Sequence, residues 1–170
     1  MDVNRLSTGE KIAGVAAALL FVSSFLKMWA KVEVEGFQGI GGGSFKFNGW
    51  ESYGFHVDLA FILALIVVVW VGLRAADTNV NVPVPAGTLL AGLCGAVLGL
   101  MLIALLTGPS GGSGSFGGVE ISRGILLFVG TALAAAMAYG GYLAMKEDTT
   151  ATPAYQAPAA PPPGPPPPAS

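Results

Sequence analysis

Residues 86–107 read AGTLLAGLCGAVLGLMLIALLT, twenty-two positions without a single charge. A helix rises about 1.5 Å per residue and the hydrocarbon core of a bilayer is about 30 Å thick, so a run of this length is what one crossing requires. Three further runs share its character: Ile12 to Trp29, Val57 to Leu73 and Ile125 to Ala144. None shows the apolar–polar alternation of a barrel strand, and in lipid a continuous apolar segment satisfies its backbone only as a helix. The expected fold is an all-α membrane protein, an up-down four-transmembrane-helix bundle over residues 1–148. Its spans are placed at about 10–30, 57–75, 86–107 and 123–145, and a disordered proline-rich tail at 149–170.

Composition narrows the function. Charged residues make up 11% of the chain and hydrophobic ones 53%, whereas a soluble domain carries about 25% charged residues, too many for this chain to imitate. A net charge of -2 with scattered Lys and Arg argues against nucleic acid as a partner. Cys94 is the sole cysteine, which removes intramolecular disulfides, CxxC redox pairs and multi-cysteine metal sites. Arg5 and Lys11 ahead of an apolar run give the first segment the look of a signal peptide, but the run continues through Phe25, Leu26, Met28 and Trp29, as an uncleaved anchor does.

Ser7 and Glu10 have capping-box spacing and open the first helix. Lys27, Trp29 and Lys31 are expected to close it at headgroup level. Beyond it the period changes to two: Val32, Val34 and Phe37 interleave with Glu33 and Glu35, Phe45 and Phe47 flank Lys46, and glycines lie between. This predicts a small extracytoplasmic β-hairpin over residues 31–50, its apolar face on the helix ends and its charges toward water. Pro83 and Pro85 hold off the third helix until about Ala86. Residues 108–115 are glycine- and serine-rich and read as a flexible strap. The GxGxxG spacing of Gly112, Gly114 and Gly117 in that region follows no strand and is read as chance.

Without a hydrophobic drive between helices in lipid, small residues that admit close backbone approach supply association. Gly87, Ala91, Gly95 and Gly99 recur every four residues in the third span, and Ala132, Ala136, Gly140 and Ala144 in the fourth. The two seams are expected to pack against each other, with a homo-oligomer as the alternative should one of them face outward.

No constellation for catalysis, metal or cofactor emerges, and the reading is non-enzymatic with no cofactor. The spans lack the central carboxylate of a proton-coupled exporter, which leaves a small transporter or channel subunit as the alternative reading. His56 beside Asp58 at a helix start is the candidate pH-sensitive pair. Pro158 and Pro161 form a PxxP motif for an aromatic groove on a protein partner, and Glu33, Glu35 and Trp50 are the outward partner-binding candidates. Positive charges tie across the two sides, Arg5, Lys11, Arg74 and Lys146 against Lys27, Lys31, Lys46 and Arg123. The short first flank, easily retained inside, favours cytoplasmic termini.

Arg5-Leu6-Ser7-Thr8-Gly9-Glu10-Lys11-Ile12-Ala13-Gly14, Trp29, and Asn48-Gly49-Trp50-Glu51-Ser52-Tyr53-Gly54-Phe55 running into Asp58 together resemble a group of uncharacterised small four-span membrane proteins of high-GC Gram-positive bacteria, many with a proline-rich tail. The resemblance implies a plasma-membrane protein with cytoplasmic termini and carries no catalytic residue. A looser likeness to the claudin-type tetraspan layout is limited to topology, because the paired loop cysteines of that family are absent here. The expectation is a membrane interaction or assembly component, with the lipid bilayer as its surroundings.

Overall fold

The computed structural model describes residues 6–34, 43–76, 85–109, 114–116 and 119–150. In chain order the elements are α1 (Thr8–Ser23), β1 (Ala30–Val34), β2 (Gly43–Phe47), α2 (Gly49–Ser52), α3 (Phe55–Ala75), α4 (Ala86–Thr107), β3 (Gly114–Phe116), β4 (Val119–Arg123) and α5 (Ile125–Thr150). Three helices, α3, α4 and the Ile125–Thr149 stretch of α5, are long and apolar enough to cross a membrane. At 16 residues α1 is about 24 Å long, short of that length on its own.

Local chemistry sets the helix ends. The Ser7 side chain accepts from the Glu10 amide while the Glu10 carboxylate accepts from the Ser7 amide, completing the capping box. Proline at position 85 is the N-cap of α4 and Gly108 its C-cap, with a φ of 78° that glycine alone adopts without strain. The first helix stops at Ser23, earlier than the span to about residue 30 expected from hydropathy. Ser23 and Ser24 turn their hydroxyls back on Leu20 O and Phe21 O, at 2.7 and 2.6 Å. The Ser23 carbonyl leaves the ladder to accept from the Trp29 indole, and a series of turns carries the chain to β1.

The four long helices pack in a ring in which each neighbours two others: α1 lies against α3 and α5, and α4 against α3 and α5. Phe61, Leu20, Leu90, Met101, Leu127 and Met137 fill the centre, fully buried. The outside is as apolar as the inside: Val15, Leu19 and Val22 on α1, Ile62, Ile66 and Val69 on α3, Leu102, Ile103 and Leu106 on α4, and Ile125, Phe128 and Val129 on α5 are all exposed.

One end of the ring gathers polar groups from all four helices. Glu10 near the start of α1 is buried and paired with Arg74 near the end of α3. Asp148 Oδ2 of α5 accepts from the Gly87 amide of α4 at 2.5 Å, and Glu147 Oε2 accepts from the Gly9 amide of α1 at 3.4 Å. Carboxylates thus meet the positive ends of two helix dipoles. The successive helices therefore run up and down between this end and the sheet.

The opposite end carries a four-stranded antiparallel sheet, in the order β2-β1-β4-β3. Here two expectations need correction. Residues 108–115, read as a flexible strap, run into β3, and β4 is the next element. The hairpin of β1 and β2 is half of a larger sheet, supported from the side by β4. Phe45, expected to rest on the helix ends, is 60% exposed. Glu35, the 78–84 proline segment and the tail with Pro158 and Pro161 lie outside the described residues.

Candidate functional site

The sheet stands on Trp29. That residue follows the turns after α1 and was expected at headgroup level as an interfacial anchor, yet its side chain is fully buried. Its indole donates to Ser23 O at 2.7 Å, its amide donates to Phe47 O of β2 at 3.1 Å, and its carbonyl accepts from Gly124 N at 2.8 Å and from the Tyr53 hydroxyl at 3.1 Å. One residue thereby ties α1, β2, the α2–α3 junction and the start of α5 together. Edge-to-face contact with Phe61, 5.1 Å between centroids, extends the cluster to Trp50, whose ring lies tilted against Phe61 at 5.2 Å and which donates to Ser24 Oγ at 3.0 Å.

Close approach makes this junction intolerant of bulk. A Cβ on Gly130 of α5 would stand 2.5 Å from the Trp29 ring, and one on Gly49 of α2 2.5 Å from the Phe61 ring. A Cβ on Gly124 would run into the carbonyls of Met28 and Trp29. The Tyr53 phenol, held in this packed region, is pushed up to about 12 by burial, and the neighbouring Arg123 charge offsets part of that shift.

Above the junction the register sorts residues into rows. Lys46, Lys31 and Ser122 are opposed across β2, β1 and β4, and two positions further along β1 the register opposes Ser44, Glu33 and Glu120. Lys31 pairs with Glu33 along its own strand. Where the sheet meets α5, a cleft of about 260 Å³ opens, walled by Lys31, Lys46, Ser122 and Arg123 and floored by Met28, Ala30, Gly124 and Ile125. Among the described residues its charged lining is entirely basic.

The residues singled out from sequence are distributed as follows. Glu33 is half-exposed on β1, whereas Trp50 is partly buried in the aromatic cluster rather than displayed. His56 and Asp58 sit in the first turn of α3, and His56 Nε2 and Asp58 Oδ1 are buried without a hydrogen-bond partner among the described residues. In the α4 seam, Gly87 and Ala91 face α5: a Cβ on Gly87 would be 2.5 Å from Ala144 O, and one on Gly141 2.9 Å from Ala91 Cα. Gly95 and Gly99 are exposed and have nothing within 4 Å of an added Cβ. In the α5 seam, Gly140 packs on α1, where a Cβ would be 2.6 Å from Ala13 N, and Ala144 lies under Gly9 and Gly87. Ala136 is half-buried and Ala132 exposed.

Sequence reasoning passed over Ser122, Arg123 and Tyr53. A signal for the first two was present, since Val119-Glu120-Ile121-Ser122-Arg123 has the period-two pattern of a strand. No protein-family model matches the sequence, and no curated protein matches it.

Proposed function

We propose that this chain is a non-enzymatic four-span protein of the plasma membrane whose sheet is an interaction or assembly surface on the extracytoplasmic side, with both termini in the cytoplasm. The observation that carries this reading is the union of the two interhelix connections into one sheet, fixed to the helices through Trp29. A passive connection needs no such order, whereas a surface that presents side chains in a set geometry does.

What supports four crossings is the ring itself. The start of α1 is bonded to the same end as the starts and finishes of the membrane-length helices, and its continuation leads into the sheet at the other end. The distance α3, α4 and α5 cover is covered by α1 and its following turns. Exposed Val15, Leu19, Val22 and Phe25 give that path the same apolar exterior. The resemblance to small four-span proteins of high-GC Gram-positive bacteria agrees with this topology. At the cytoplasmic end the tail would offer Pro158 and Pro161 to a partner groove.

A photoreactive side chain introduced at Phe45, exposed on edge strand β2, tests the reading in intact cells. Discrete crosslinked products are expected, together with no ion or proton flux above protein-free background in reconstituted vesicles. Flux that scales with protein, in the absence of crosslinks, would identify a transporter or channel subunit instead.

A further inference from the structure

The basic cleft at the root of the sheet is arranged in a way that neither the fold nor a partner-binding surface demands. Lys31 and Lys46 stand directly opposite each other in the β1–β2 register, and like charges so placed destabilise a sheet. Arg123 also borders the cleft, but it is opposed to Ala30, so its side chain leaves β4 on the other face of the sheet. Glu33 pairs with Lys31 from outside the cleft, which leaves one positive charge in excess on this face among the described residues. Violations of local rules concentrate at functional positions, where a ligand offsets their cost.

The floor shows what kind of anion fits. Met28 is 47% exposed and Ile125 62%, and the exposed apolar surface continues one turn along α5 to Phe128. A small soluble anion has no use for that surface. An amphiphile does, because its charged head and apolar chain would meet the two kinds of wall in the order in which they occur. Lysine ammonium groups hold phosphate oxygens by charge-assisted hydrogen bonds.

We propose that this cleft is a site for an anionic phospholipid, its phosphate held by Lys31 and Lys46 and its acyl chain laid along Ile125 and Phe128. The site rests on the helices being membrane spans and is independent of any protein partner. It would fix the sheet against the headgroup layer.

Full-length protein in nonionic detergent is titrated with phosphatidylglycerol or phosphatidylcholine of matched chains and read by native mass spectrometry. Phosphatidylglycerol is expected to be retained about fivefold more tightly, from one excess cation near an anionic head. Lys46→Gln, on an exposed edge strand, should erase that preference and leave phosphatidylcholine unchanged. Equal retention of the two lipids, or an unaltered preference in Lys46→Gln, overturns the site. Inorganic phosphate competing as strongly as the lipid would assign the cleft to a soluble anion and overturn it as well. Failure of the membrane reading looks different, since the protein would then stay monodisperse in plain buffer without detergent.

Discussion

Trp29 shows how a single side chain converts a stretch of apolar sequence into a positioned surface. Tryptophan near the end of an apolar run ordinarily sits at the headgroups, half wet. Here the carbonyl that its indole needs is supplied from within the same chain, by Ser23 at the point where α1 ends, and the indole is withdrawn from the interface. Trp29→Ala should therefore lower stability by about 3–5 kcal/mol through lost packing. Trp29→Phe, which keeps an aromatic ring but forfeits the bond to Ser23 O and part of the indole's volume, should cost about 1–3 kcal/mol. Thermal unfolding in detergent measures both, and a Phe variant as damaged as the Ala variant would contradict the share given to the remaining ring's packing. Tyr53 makes a second prediction at this scale. Burial raises its folded pKa from the ordinary value of 10.0 to about 12. A group raised in this way favours the folded state in full below pH 10, and that contribution is lost as pH rises toward 12. Alkaline titration should show the Tyr53 phenol ionising near pH 12 and with it a fall in melting temperature, a slope that Tyr53→Phe removes.

Elements were legible in proportion to how much of their signal was local. The starts of α1 and α4 and the end of α4 followed from Ser7, Glu10, Pro85 and the uncharged run that ends at Thr107, because caps and breakers act within a few residues. The strand β4 was overlooked although its alternation was present, because glycines on its N-terminal side suggested a linker and its pairing partner β1 lies far away in sequence. The seams show the same limit. A four-residue period places small residues on one face and says nothing of which neighbour that face meets. The α5 seam is shared between α1, at Gly140 and Ala144, and α4, at Ala144, whereas the α4 seam turns outward at Gly95 and Gly99. These two ends of one motif predict opposite results. Gly140→Leu should separate α1 from α5 backbones already in close approach, at a cost of at least about 3 kcal/mol, and yield aggregated protein on size exclusion. Gly95→Leu with Gly99→Leu should elute and melt like the unsubstituted chain, and a collapse equal to that of Gly140→Leu would contradict the outward placement.

At the level of the whole molecule, the sheet constrains topology more strongly than hydropathy does. Hydropathy gives four apolar runs and a tie in flanking charge, which leaves the number of crossings and their direction open to argument. Strand pairing is less forgiving. The segment before α3 and the segment after α4 are hydrogen-bonded to each other, so the start of α3 and the end of α4 lie at the same end of the bundle. Bonds at the other end of the ring do the same for α1 and α5. A pair of cysteines can read this directly. Lys31 and Ser122 are opposed in the β1–β4 register, at a separation of about 4.5–5.5 Å between Cα atoms, within the range a disulfide spans. Lys31→Cys with Ser122→Cys, in a Cys94→Ala background, should crosslink rapidly on mild oxidation. Lys31→Cys with Arg123→Cys should not, because a slip of one residue turns the second thiol to the other face. If the sheet is extracytoplasmic, a membrane-impermeant reductant added to intact cells should open the bridge. A bridge that forms but resists that reductant would keep the sheet and invert the molecule in the membrane, and no bridge at all would dissolve the link between the two connections on which the topology depends.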